Sequence, residues 1–120
     1  MSKLILFLIL LSSCNKELKY SKEDLLFKAL KADSTVAITL PKNMNEGVTC
    51  SEYGTSCLSA HIVNVKGLEM IAVEFLNEEE AKHAAKKFRG FYSRNWLFDD
   101  VTGEPSLERF VTTALEGKKP

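Results

Sequence analysis

The chain has 120 residues, 45% of them hydrophobic, and its 16 Lys plus Arg balance its 16 Asp plus Glu. That length accommodates one domain of ordinary size. The charge balance supplies no electrostatic drive toward nucleic acid or an anionic lipid surface, both of which call for a basic excess or patch.

In chain order the first feature is residues 1–14. A single cation, Lys3, precedes the apolar run 4–11, and Leu11-Ser12-Ser13-Cys14 then supplies a bulky residue, two small ones and a thiol. The run is too short for a membrane-spanning helix, which takes about 20 residues to cross roughly 30 Å of hydrocarbon. A buried strand or helix opening a cytoplasmic domain is the other reading, and Lys3 and the small-small-Cys ending fit it poorly. These residues resemble the signal sequence and lipobox of bacterial lipoproteins. The resemblance covers this stretch alone, with Ser13 where Gly or Ala is commoner. It implies export, diacylation of the Cys14 sulfur, cleavage before Cys14 and acylation of the new amino terminus. Asn15 is not the Asp of an inner-membrane retention signal, which favours the outer membrane of a bacterial envelope. The implied division is a signal peptide over 1–13, a lipidated Cys and tether over 14–21, a single domain over 22–117 and a tail over 118–120. Attachment then comes from acyl chains, worth about 0.8 kcal/mol per buried methylene. The tether from Asn15 to Tyr20 spans at most roughly 20 Å, so the domain sits against its membrane.

Export bears on the other two cysteines, Cys50 and Cys57, because an exported compartment favours oxidation. Their spacer, Ser51-Glu52-Tyr53-Gly54-Thr55-Ser56, is polar and contains a Gly, which suits a turn whose ends meet. A structural disulfide is the first expectation. A redox pair prefers the closer C-x-x-C spacing, and a zinc site needs more ligands than Cys50, Cys57 and His61.

Ser21 with Asp24 three residues on has the capping-box spacing, and Leu26, Ala29 and Leu30 recur on one face, so a helix is expected over 22–31. Residues 35–40 are β-branched enough for a strand, which Pro41 stops. Residues 42–56 read as a long loop ending in the cysteine pair. The apolar runs 58–65 and 68–76, joined around Lys66-Gly67, read as a β-hairpin with both faces partly covered. Asn77 as cap with Glu80 completing a capping box then opens a second helix, whose Ala81, Ala84, Ala85 and Phe88 share a face and which Gly90 ends. Its acidic start and basic end match the helix dipole. Residues 91–101 read as one strand with Tyr92, Trp96 and Phe98 on one face. Asp99-Asp100, Gly103 and Pro105 turn into a last helix with Leu107, Phe110, Val111 and Ala114 on its apolar stripe, closed by Gly117. The order α-β-β-β-α-β-α predicts an α+β domain, a small antiparallel sheet covered by helices, partly ferredoxin-like through a split βαβ unit.

Topology of this kind hosts unrelated activities, so function must come from sites. His61 falls within a strand and reads as a core or edge histidine, and His83 reads as a surface partner of Glu79 or Glu80. No spacing points to a nucleophile, a phosphate loop or a metal site, and no cofactor is expected. Val73-Glu74-Phe75 before an acidic-capped helix superficially resembles RNA-recognition domains. The preceding Met70, Ile71 and Ala72 lack the base-stacking aromatics, and no nucleic-acid partner is expected. Residues 91–98 pack four aromatics and an Arg into one stretch. This is either a core strand or, if Tyr92, Arg94 and Trp96 prove exposed together, a partner site of the residue types enriched at binding hot spots. Tyr53 in the cysteine loop is the second candidate. The resulting expectation is a non-enzymatic, membrane-anchored lipoprotein that binds an envelope protein or helps assemble an envelope structure. The alternatives are a small-ligand-binding or hydrolytic lipoprotein built around the cysteine loop and His61, or one of inhibitor or immunity type.

Overall fold

The computed structural model describes residues 18–39 and 50–120; the lipobox, the start of the tether and most of the long loop lie outside these. The order is α1 (Lys22–Ala32), β1 (Ala37–Thr39), a short 3-10 turn (Cys50–Tyr53), β2 (Cys57–Val65), β3 (Leu68–Phe75), α2 (Glu78–Phe88), β4 (Phe91–Ser93), β5 (Trp96–Asp99) and α3 (Pro105–Ala114). The strands form one sheet in the order β1-β2-β3-β5-β4, every neighbouring pair antiparallel. This is an α+β fold. β3 and β4 run parallel with β5 between them and α2 connecting them, which is a split βαβ unit.

Local chemistry explains most boundaries. The Ser21 hydroxyl accepts from the Asp24 N–H at 3.1 Å and the Asp24 carboxylate accepts from the Ser21 N–H at 3.2 Å, a complete capping box at the start of α1. Asn77 caps α2 by accepting from the Glu80 N–H at 2.9 Å. The Glu80 carboxylate accepts from Ser56 Oγ at 3.0 Å and so ties the cysteine loop to the helix. In the β2–β3 hairpin both central residues have positive φ, Lys66 at 53° and Gly67 at 85°, the twist-matching geometry of a two-residue turn.

Both faces of the sheet are covered. On one side α1 (Leu25, Ala29) and α3 (Leu107, Val111) pack over Val63, Met70, Ala72, Trp96 and Phe98. On the other α2 (Ala81, Ala84, Ala85) packs over Ala60, Val73, Phe75 and Leu97. Each fully buried Leu, Val or Phe in these layers contributes about 1.5–3 kcal/mol. The alanine stripe lets α2 lie close to the strands.

The single strand expected over 91–101 is a hairpin, with Ser93 paired to Trp96, Tyr92 to Leu97 and Phe91 to Phe98. Arg94 takes a left-handed conformation at φ 51° to make the turn. Cross-strand partners share a face, so Tyr92 lies with Leu97 toward α2, while Trp96 and Phe98 face α1 and α3. Nor are the last residues a free tail, since Lys118 makes an antiparallel bridge with Tyr92 through two 2.9 Å backbone hydrogen bonds.

Gly90 has a different role from the one its position suggests. The left-handed residue closing α2 is Arg89, at φ 56°. A β-carbon on Gly90 would stand 2.6 Å from the Phe98 carbonyl oxygen, so this glycine permits close approach of helix end and strand. Gly90→Ala is expected to destabilise the domain by about 1–3 kcal/mol through overpacking, read as a lower urea midpoint with unchanged slope.

Candidate functional site

Of the residues nominated at 92–96, Arg94 and Trp96 are brought to a site and Tyr92 is not, and the partner held there is the chain's own segment before α1. The Arg94-Asn95 turn and Trp96 close around Tyr20, the residue just before the N-cap of α1. The Tyr20 N–H donates to Asn95 Oδ1 at 2.8 Å, and Trp96 Nε1–H donates to the Tyr20 carbonyl at 2.9 Å. Asn95 is itself fixed, because its carbonyl accepts from the Phe75 N–H at 2.7 Å. Tyr20, Asn95 and Trp96 are all buried, so each of these bonds satisfies a group that would otherwise cost about 1–3 kcal/mol.

The Tyr20 ring is held as firmly as its backbone. The Arg94 guanidinium stacks 4.0 Å from the ring centroid, and the Lys28 ammonium lies 5.3 Å from it. The Tyr20 hydroxyl donates to Glu116 Oε2 at 2.9 Å, and Lys28 Nζ pairs with Glu116 Oε1 at 3.2 Å. Glu116 reaches this position from a left-handed residue beyond α3, at φ 57°. The hydrogen bonds from Tyr20 and then Lys28 hold its carboxyl below the usual range, and the bond to Glu116 raises Lys28. The clasp thus joins the residue before α1, the β4–β5 turn and the C-terminal segment. One local signal was available, since Tyr20 and Leu25 occupy the N′ and N4 positions of a hydrophobic staple and both are buried in the same core. Asn95 carried none.

As a surface for another protein, the nominated cluster is corrected by burial. Trp96 has no exposed area and Tyr92 is 6% exposed on the opposite face of the sheet, so Tyr92, Arg94 and Trp96 form no common exposed patch.

The cysteine loop is stapled by a Cys50–Cys57 disulfide with a Cα–Cα distance of 5.5 Å. Tyr53 points inward, its ring 5.0 Å from that of Phe88 and its hydroxyl donating to Asp99 Oδ2 at 2.7 Å. Burial, followed by the bond to Asp99, pushes its phenol well above the ordinary range, so it stays protonated. Beside it a concavity of about 200 Å³ is lined by Ser56, Glu80, His83 and Lys87 among others. A larger one, about 350 Å³, lies between the end of α1, the β2–β3 turn and α3, with Asp33, Lys66, Arg109, Leu68 and Phe110 on its walls.

His61 lines neither. It is buried against Trp96, with ring centroids 5.9 Å apart, and its Nε2 lies 2.9 Å from Ser59 Oγ. Ser59 donates to Glu74 Oε1 at 2.9 Å, which assigns the Nε2–H tautomer to His61 and leaves Nδ1 as a buried acceptor with no partner. Burial first, and Lys22 second, lowers its pKa below the ordinary 6.5. The unfolded chain therefore binds this proton more readily. The stability that neutral His61 contributes is complete above about pH 6.5 and is lost as pH falls below it, at no more than about 1.4 kcal/mol per pH unit. Urea midpoints at pH 7.5 and 5.5 are expected to differ in the wild type and to converge in His61→Gln.

Among the described residues no group of three or more His, Cys, Asp or Glu side chains is placed to hold a metal ion, and no helix is long and apolar enough to cross a membrane. No protein-family model matches the chain, and no curated protein or solved structure matches it either.

Proposed function

We propose that this chain is a bacterial envelope lipoprotein, anchored through acyl chains on Cys14 and facing the periplasm from the outer rather than the inner membrane. Its α+β domain acts without catalysis, binding an envelope protein or helping to assemble an envelope structure. The observation that supports the reading best is the clasp. Tyr20 stands six residues after Cys14, and both of its main-chain groups are hydrogen-bonded into the domain. A loosely tethered domain has no need of such a grip, whereas one that must present a fixed side to its membrane does.

Capture of the acylated protein from detergent-solubilised envelopes, followed by reciprocal capture with the recovered partner, tests the function. Enrichment of one partner over an unrelated lipoprotein supports it, and equal recovery counts against it. A second reading, small-ligand binding, draws on the 350 Å³ concavity, whose size and mixed lining suit a small molecule. A ligand-induced rise in melting temperature that is abolished by Arg109→Ala would favour it.

A further inference from the structure

We propose that the outer face of α1, with the exposed Leu18 just before it in the chain, rests in the interfacial zone of the bilayer that holds Cys14, with Phe27 and Leu30 dipping into it; this builds on the lipid-anchor reading above. Five large apolar side chains are exposed among the described residues, and three of them lie on or just before α1: Leu18 at 66%, Phe27 at 68% and Leu30 at 39%. Phe27 and Leu30 are three apart and so lie one above the other on the helix, turned away from the buried Leu25 and Ala29.

The length of chain leading to Cys14 identifies what lies opposite. Leu18 is four residues from Cys14, and Tyr20 is pinned by the clasp, which leaves a tether of at most roughly 20 Å. α1 starts two residues after Tyr20 and is only about 16 Å long. Phe27 and Leu30 are therefore within reach of the surface that holds the acyl chains.

The charges named around the face nearly cancel: Glu23, one turn before Phe27, and Asp24 stand against Lys19 and Lys22 at the start and Lys31 at the other end, a net of one positive charge. Insertion thus requires no anionic lipid, and the lysine stems can run along apolar surface with their ammonium groups in water. A shallow insertion too weak to hold a free protein suffices here, because the anchor makes it an intramolecular event at high effective concentration.

The test uses the full-length protein purified from envelopes and placed in phosphatidylcholine nanodiscs whose acyl chains carry quenching spin labels. An environment-sensitive fluorophore is attached at Phe27→Cys, Leu30→Cys or, as an exposed control on β2, Leu58→Cys. Loss of fluorescence at positions 27 and 30 but not at 58 is expected. Peptide mass measured on the same sample reports the state of Cys14. Equal quenching at all three positions with Cys14 acylated overturns this orientation alone, whereas an unacylated Cys14 overturns the anchor reading and the orientation together.

Discussion

Trp96→Ala is expected to destabilise the domain by about 3–5 kcal/mol, the range for emptying a fully buried aromatic site. It also removes the donor to the Tyr20 carbonyl, so a buried acceptor is left without its bond. Against a total stability of about 5–15 kcal/mol, the variant unfolds at low urea or does not accumulate. Trp96→Phe keeps most of the apolar volume and loses the N–H, and should cost about 1–3 kcal/mol. Equilibrium urea unfolding of both variants separates the packing contribution from that of the clasp. A Trp96→Ala protein with wild-type stability would mean that Trp96 is not the core residue described above. The same burial disqualifies Trp96→Ala as a probe of partner binding, since any lost interaction would reflect a lost fold.

Removal of the Cys50–Cys57 disulfide is the second large effect. Closing a loop this short contributes about 2–3 kcal/mol on the chain-entropy estimate. For a domain of this size that corresponds to a melting temperature lower by roughly 10–20 °C. The double variant Cys50→Ser, Cys57→Ser should show this loss, and thiol labelling of the unreduced native protein should find both cysteines blocked. The staple holds the end from which Tyr53 reaches Phe88 and Asp99, so the Tyr53 contacts should loosen in the variant. Labelling of either thiol without reductant would contradict the bond.

What the sequence made legible was local. The Ser21–Asp24 capping box, the Asn77 cap, the Lys66-Gly67 turn and the alanine stripe of α2 are set by neighbours within a few residues and sit where their chemistry predicts, while the Glu80 carboxylate leaves the second box open and takes the Ser56 hydroxyl instead. The Arg94-Asn95 turn was illegible because neither residue is a Gly, and Arg94 adopts a left-handed conformation within a long-range network that no nearby pattern announces. Missing that turn reverses the apparent face of every residue on one side of it. This is why Tyr92 and Trp96 seemed to belong together and in fact lie on opposite sides of the sheet. The clasp was hidden for a related reason. Its bonds link residues 75 and 76 positions apart, and a buried Asn95 looks the same in sequence as an exposed one. The glycines carry the same lesson: by position Gly90 and Gly117 look like helix stops, yet a β-carbon on Gly117 would overlap Val111 Cγ1. Both are required by close packing.

The most direct test of the proposed lipid anchor is the mass of the N-terminal peptide of the protein extracted from envelope membranes. A peptide beginning at Cys14 and carrying a diacylglyceryl group on sulfur and an acyl group on nitrogen is the expected result. A peptide that retains residues 1–13, or one with an unmodified Cys14, would contradict it.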